Sequence, residues 1–290
     1  MPMTTDNAIA FLGMGLMGSR MSKRLLDAGV SIAVWNRTAN ACEPLIQAGA
    51  DALQLEQIGQ YPVVMLCLAD DAAVQDVVTQ ILPYLHPKQI CIDFSSLSVA
   101  ATQQLAAQVA SKQAIWVDSP VSGGTLGAEN GSLVVFAGGD TQVIDALRPL
   151  YAPLAQRVTC MGSTGTGQAT KICNQLIVAA SSTLIAEAVA LAQQTGVDAN
   201  LLASALADGF ADSKPFQILA PRMAQKSFEP IQWKVQTLSK DLHNAVTLAQ
   251  QVKINLPMAQ HALHQLQQHQ AQGFAEQDLS TVILHIKGKV

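Results

Sequence analysis

The sequence predicts an α/β chain in two parts: a doubly wound N-terminal domain, and an all-α C-terminal domain that begins with a long interdomain helix. Three observations carry this reading. A short apolar run from Ala8 to Leu12 feeds directly into Gly13-Met14-Gly15-Leu16-Met17-Gly18, the spacing of a strand–turn–helix built to hold a dinucleotide. Apolar strands and amphipathic helices then alternate as far as Val117, the pattern of a parallel sheet covered on both faces. After Gly162-Ser163-Thr164-Gly165-Thr166-Gly167 the strand signals almost vanish, which places the domains at 1–164 and 165–290.

Taken in order, the first helix starts on Gly18, and Ser31–Trp35 forms the second strand. A helix follows near Glu43–Ala48, then strand Val63–Leu68, helix Ala73–Leu82, strand Ile90–Phe94, helix Ala100–Ser111 and strand Ile115–Val117. The strands are near-continuous apolar runs, as burial on both faces requires. Strand-like Ser132–Ala137, a helix near Val143–Leu150 and Val158–Met161 complete this half. In the second half one helix runs from Gln168 to about Gln194, and others lie near Asn200–Ala207, Pro215–Lys226, Thr237–Gln251, Met258–Gln270 and Leu279–Lys287. Gln175–Ala192 is apolar enough to be considered as a membrane span, but Ser181, Ser182, Thr183 and Glu187 interrupt it. It reads instead as a helix buried within the protein or an oligomer.

Of the 290 residues, 49% are hydrophobic and 13% charged, a balance that excludes disorder and supports a large core. The net charge of −4 excludes a general nucleic-acid or anionic-membrane binder, which needs a basic face. The five cysteines, Cys42, Cys67, Cys91, Cys160 and Cys173, are odd in number and scattered, and read as buried free thiols of a reducing compartment. With no basic segment leading into an apolar signal-peptide core, the expected location is the cytoplasm. No His or Cys spacing suggests a metal site.

Each glycine of the opening motif has a task. Gly13 permits the tight turn, Gly15 lets the backbone approach a pyrophosphate, and Gly18 lets the helix pack on the sheet. Met14, Leu16 and Met17 complete that cofactor turn. The second strand ends in Asn36-Arg37-Thr38 with no acid, whereas a chain that prefers NAD places a carboxylate there for the ribose hydroxyls. Arg37 offers a charged fork suited to a 2′-phosphate, so the cofactor expected is NADP, with NAD possible. The alternative is that these residues cap a helix near Ala39. Ligands of such sheets lie beyond the carboxyl ends of the strands, which adds Leu68, Ala69, Asp70 and Ser96 to the expected cofactor site and brings in Asp118-Ser119-Pro120.

Three further motifs stand in order: Asp118-Ser119-Pro120-Val121-Ser122-Gly123-Gly124, then Gly165-x-Gly167-x-x-x-Lys171-x-x-Asn174, then Lys240-Asp241-Leu242. With the opening turn, their order and separations make the whole chain resemble the β-hydroxyacid dehydrogenase family, which includes 3-hydroxyisobutyrate dehydrogenase, tartronate semialdehyde reductase and the plant glyoxylate/succinic semialdehyde reductases. The resemblance implies a Rossmann-type cofactor domain, Lys171 as the catalytic residue and Asn174 as a residue that positions substrate. It also implies that Ser122, Gly123 and Gly124 hold the substrate carboxylate, and that Ser96 and Lys240 contact cofactor or substrate near the nicotinamide. Ser119 departs from the Ala of many relatives, a change expected to matter little.

The residues agree with these assignments on their own chemistry. Lys171 and Asn174 share a helix face, and apolar company disfavours the charged amine, which suits Lys171 to give and take a proton. The ordinary alternative is a lysine that snorkels to solvent. Ser122-Gly123-Gly124 has the composition of an anion-binding loop or of a plain turn before Ser132. Lys240-Asp241 could equally be a solvated pair, and spacing does not decide. The expected partners are a small carboxylate substrate and a second copy of the chain, as a homodimer or homotetramer. The expected activity interconverts a small 3-hydroxy acid and its semialdehyde. Tartronate, glyoxylate or succinic semialdehyde reduction is the alternative within the class, and an imine reductase or a non-catalytic dinucleotide-binding module the alternatives outside it. Phe210, Ser213, Phe216 and Trp233 are candidate pocket-wall residues.

Overall fold

The computed structural model describes residues 8–286. The chain divides after Lys171 into two compact units. The first contains β1 (Ile9–Leu12), α1 (Gly18–Asp27), β2 (Ile32–Trp35), α2 (Glu43–Gln47), β3 (Asp51–Ala52), β4 (Val63–Leu66), α3 (Asp71–Ile81), β5 (Ile90–Asp93), α4 (Val99–Ala110) and β6 (Ile115–Asp118). It continues with β7 (Val121–Ser122), α5 (Gly124–Asn130), β8 (Leu133–Gly138), α6 (Thr141–Ala146), α7 (Arg148–Tyr151) and β9 (Ala155–Gly162). Helix α8 (Thr166–Gln194) runs without a break through the point of division.

The strands form one sheet in the order β3-β2-β1-β4-β5-β6-β8-β7, with β9 beside β8. From β3 to β6 every pairing is parallel, the order of a doubly wound dinucleotide fold. The pattern predicted only parallel strands, but β8 runs antiparallel to both β6 and β7. Alternate residues of each parallel strand enter opposite cores, since side chains of a strand point to opposite faces. Ile9, Phe11, Val63 and Met65 pack on one face, and Ala10, Leu12, Val64 and Leu66 on the other. All eight are fully buried, each of the larger ones contributing about 1.5–3 kcal/mol. Helix α1 buries Gly18, Met21, Ser22 and Leu25, the i, i+3, i+4, i+7 stripe of a helix on a sheet. It stops at Gly29, whose φ of +81° suits a residue without a side chain.

The second unit is helical: the rest of α8, then α9 (Leu202–Leu206), α10 (Lys214–Gln225), α11 (Val235–Gln251), α12 (Pro257–His269) and α13 (Ile283–Ile286). Lys287, the expected end of the last helix, lies outside the described residues. Ser213 caps α10 by accepting from Phe216 N–H, and α11 packs on α12. Fully buried Asp278 ties this unit together. It accepts from the Gln232 N–H at 2.7 Å and the Ser280 N–H at 3.0 Å, and Arg222 lies 3.4 Å away. Phe216 belongs to the core, while Phe210 is wholly exposed.

Candidate active site

Equal register lines up the carboxyl ends of the parallel strands. Trp35, Leu12, Leu66, Asp93 and Asp118 stand side by side across the sheet. The expected cofactor segments all leave the sheet from this row: Gly13–Gly18 after β1, Asn36–Thr38 after β2, Leu68–Asp70 after β4 and Ser96 after β5. Sheet topology therefore brings together residues far apart in sequence.

The glycine turn separates two kinds of requirement. Gly13 has a φ of +104°, and a Cβ there would lie 2.3 Å from the Cys67 carbonyl oxygen; one on Gly18 would lie 1.9 Å from the Gly13 oxygen. Those glycines are demanded by the protein itself. A Cβ on Gly15 would meet no protein atom within 4 Å, so the space above it is open. No side chain caps α1 and no acid stands in its first turn, which leaves the positive end of the helix for an anion. This cradle fits the pyrophosphate of a dinucleotide. Asn36 fastens it: Met14 N–H donates to Asn36 Oδ1 at 3.0 Å, and Asn36 Nδ2 donates to the Thr38 oxygen at 3.0 Å. Leu16, Arg37 and Thr38 are exposed, Met17 half-buried. Thr38 precedes a 3₁₀ turn at Ala39–Cys42 but its side chain makes no capping bond.

At β4, Leu68 N–H donates to Ser95 Oγ at 2.9 Å, and the Asp70 carboxylate is engaged in capping α3 through the Ala73 N–H at 2.9 Å. Ala69 is exposed. Ser96 is exposed between buried Ser95 and buried Leu97. Ser122 ends β7, half-buried, and Gly123 and Gly124, with φ of +130° and +64°, open helix α5. The segment read as an anion-binding loop or a plain turn is the start of a helix.

Two buried carboxylates close the row. Asp118 accepts from Gly165 N–H at 2.8 Å and Gln168 N–H at 3.0 Å, so the sheet itself caps the first turn of α8. Glycines make room for it: a Cβ on Gly138 or Gly167 would lie 2.6 or 2.7 Å from a carboxylate oxygen. Burial raises the Asp118 carboxyl above the usual range, against the pull of these backbone bonds. Asp93 is fully buried, accepts Ser95 N–H at 3.0 Å on Oδ1, and is pushed up to about 7 by that burial. Its buried Oδ2 has no hydrogen-bond partner among the described residues. Burial, and then Asp93, push the Cys67 and Cys91 thiols up to about 12, which makes them inert as nucleophiles. All five cysteines are free, and Cys173 is exposed rather than buried, because it stands on the outer face of α8.

Lys171 is half-buried in the second turn of α8. One turn on, half-buried Asn174 donates to Gln175 Oε1 at 2.8 Å, and Gln175 donates to Asp241 Oδ2 at 2.5 Å. Asp241 of the Lys240-Asp241 pair is thus bonded to α8, while Lys240 is exposed. Sequence reasoning missed the capping role of Asp118, the whole role of Gln168 and the Asn36–Met14 bond. The residues were visible, but their partners are set by the sheet. Among the described residues no cluster of three or more His, Cys, Asp or Glu side chains is arranged to hold a metal ion.

Comparison with known proteins adds an independent line. Residues 8–162 match the family model described as the NAD binding domain of 6-phosphogluconate dehydrogenase. Residues 165–286 match the one described as the NAD-binding domain of NADP-dependent 3-hydroxyisobutyrate dehydrogenase. The chain is 31% identical to the 2-hydroxy-3-oxopropionate reductase of Escherichia coli over 86% of each protein. It is 28% identical to the chloroplastic glyoxylate/succinic semialdehyde reductase 2 of Arabidopsis thaliana, over 99% of this chain and 82% of that protein. Among solved structures, the Mycobacterium tuberculosis 3-hydroxyisobutyrate dehydrogenase with L-serine superposes at a TM-score of 0.90, with 27% identity, over 98% of this chain and all of that one. A glycine turn on a doubly wound sheet, a long helix leading into an all-α unit, and matches along nearly its full length make this chain a member of the NAD(P)-dependent β-hydroxyacid dehydrogenase family.

Proposed function

We propose that the protein is an NADP(H)-dependent oxidoreductase that interconverts a small 3-hydroxy acid and its semialdehyde, most like 3-hydroxyisobutyrate dehydrogenase. The observation that carries this is the capping of the Lys171 helix by Asp118, a residue of the same strand-end row from which the glycine turn leaves. In this reading 1–164 bind the cofactor and 165–290 serve substrate and assembly. Gly13–Gly18, Asn36, Arg37, Thr38, Leu68–Asp70 and Ser96 would hold the dinucleotide, which when bound exchanges a hydride with the carbinol carbon. Lys171 gives a proton to the carbonyl oxygen during reduction and takes the hydroxyl proton during oxidation. Ser122, Gly123 and Gly124 would hold the substrate carboxylate, Asn174 would orient the substrate, and Lys240 would contact cofactor or substrate. The five free thiols suit a reducing compartment such as the cytoplasm.

The NADP preference rests on exposed Arg37 and the absence of an acid after β2. A lost charge-assisted contact costs about 1.5–3 kcal/mol, so Arg37→Ala should lower the NADPH/NADH ratio of kcat/KM at least tenfold. An unchanged ratio would refute the assignment. The substrate is found with 3-hydroxyisobutyrate, tartronate semialdehyde, glyoxylate and succinic semialdehyde, each with both cofactors. Lys171→Ala should lose about 10²–10⁴-fold in kcat while NADPH titration stays normal. Near-normal kcat would remove Lys171 from the mechanism, and turnover of a cyclic imine with none of the four acids would overturn the substrate class.

The assembly proposed is a homodimer or homotetramer through α8. Ile177, Leu184 and Leu191 stand seven residues apart and are 62%, 62% and 65% exposed, and less than half of the most apolar stretch of this helix is covered by its own chain. Such a stripe is normally buried against a partner.

A further inference from the structure

Gln168 is a wholly buried polar side chain at the start of α8. Its carboxamide makes two bonds to one backbone segment: Nε2 donates to the Ser95 oxygen at 2.7 Å, and Oε1 accepts from Leu97 N–H at 3.1 Å. Exposed Ser96 stands between the two bonded residues. Ser95 Oγ in turn accepts Leu68 N–H at 2.9 Å, and the Gln168 N–H donates to Asp118 at 3.0 Å. One side chain therefore brackets the exit of β5, reaches the exit of β4 through Ser95, and sits three residues before Lys171 on the same helix. Both bonds satisfy backbone groups of a segment that has left the sheet, and a buried backbone group without a partner costs about 1–3 kcal/mol.

We propose that Gln168 is a positioning residue, whose carboxamide sets the spacing between the Ser95–Leu97 segment at the end of β5 and the α8 turn that carries Lys171. The proposal rests on the reading of Lys171 as the proton donor and of Ser96 as a neighbour of the nicotinamide. Hydride and proton transfer to one carbonyl demand that both donors be placed together, and a shift on the order of 1 Å can cost about 10²-fold in rate. Gln168 touches neither transferred atom. It acts by holding the two segments in register.

The test starts with ligand-free protein. Gln168→Ala should speed amide hydrogen exchange at Leu97, which loses its acceptor, and leave Met21 and Leu25 in α1 unchanged. Unchanged exchange at Leu97 overturns the proposal. With NADPH and glyoxylate or the best of the four substrates named above, kcat should fall about ten- to a hundredfold, and NADPH affinity should stay within about threefold. The primary isotope effect from nicotinamide deuterated at the transferred position should rise as hydride transfer becomes limiting. Gln168→Glu supplies a signature that a merely structural role would not: a neutral carboxyl reproduces both bonds, while a carboxylate can only accept. Its kcat relative to the unaltered protein should therefore rise as pH falls, and this variant carries the test should Gln168→Ala not fold. A pH-independent ratio, unaltered kcat in folded Gln168→Ala, or a loss of NADPH affinity equal to the loss of kcat would each overturn the proposal. Full activity in Lys171→Ala overturns the underlying reading as well; inactive Lys171→Ala beside fully active Gln168→Ala overturns the positioning role alone.

Discussion

Ser119 and Tyr151 meet hydroxyl to hydroxyl at 2.7 Å, both fully buried, and burial raises the Tyr151 phenol above its ordinary range. The sequence marks Ser119 as a departure of little weight, yet it supplies the partner that a buried phenol needs. Ser119→Ala should cost about 1–3 kcal/mol by leaving that phenol unpaired, and adding Tyr151→Phe should restore most of it. Urea midpoints at constant m-value check this double-mutant cycle. The glycine turn offers a sharper contrast. Gly15→Ala meets no protein atom and should leave the melting temperature near its original value while weakening NADPH binding; Gly18→Ala drives a Cβ into the Gly13 oxygen and should lose stability with or without cofactor. Equal NADPH affinity in Gly15→Ala would place the cofactor elsewhere. The glycine spacing was legible because the positive φ of Gly13 and the close approach of Gly18 to the Gly13 oxygen lie within the turn itself. Asn36 finds Met14 across 22 residues and Asp118 finds Gly165 across 47, choices made by neighbouring strands and not by either residue.

Among elements, those with a full apolar period were legible and the short ones were not. Helix α1 shows its stripe in sequence, whereas α5 has two glycines and an asparagine in seven residues, and it holds together because Gly127 and Ala128 are buried beneath Leu133. The single helix expected over Val143–Leu150 is two, α6 and α7, because Pro149 lacks the N–H of a continuing helix and sits instead in the first turn of α7. Helix α8 was expected from Gln168 and starts at Thr166, under the cap from Asp118. Its exposed stripe makes a prediction at this scale. Leu184→Asp places a charge at the middle of Ile177, Leu184 and Leu191 and should shift light scattering from an oligomer towards 30.6 kDa, with the fold intact by circular dichroism. A mutant that still associates like the parent protein, or a parent already monomeric at micromolar concentration, would refute the α8 interface.

Across the whole molecule the two units carry buried groups with opposite pH dependence. The Asp93 carboxyl, pushed to about 7 from 3.8, keeps in the folded state a proton that the unfolded chain has released. Stability of the first unit is therefore lost as pH rises from about 4 to 7, by up to roughly 4 kcal/mol. In the second unit burial, and then His285, lower fully buried His269 from 6.5 to about 4. There the unfolded chain takes a proton that the folded one refuses, so stability falls as pH drops from 6.5 to 4, by up to roughly 3 kcal/mol. Asp93→Asn should raise the urea midpoint at pH 8 and flatten the first slope; His269→Gln should flatten only the second. No gain in Asp93→Asn at pH 8 would contradict the assignment. The alternation of strands and helices made the parallel, doubly wound sheet legible, apart from the two-residue β3, while the antiparallel β7 and β8 follow from short returns that carry little pattern. The cap on α8 also fixes where the chain tolerates added length. Residues inserted among Gly162–Thr164 lie upstream of the bonds from Gly165 and Gln168 to Asp118 and bulge into the loop. A single residue inserted between Gln168 and Lys171 lies downstream of them, and at 3.6 residues per turn it swings the amine about 100° around the helix axis, away from its place with every other contact of the sheet intact.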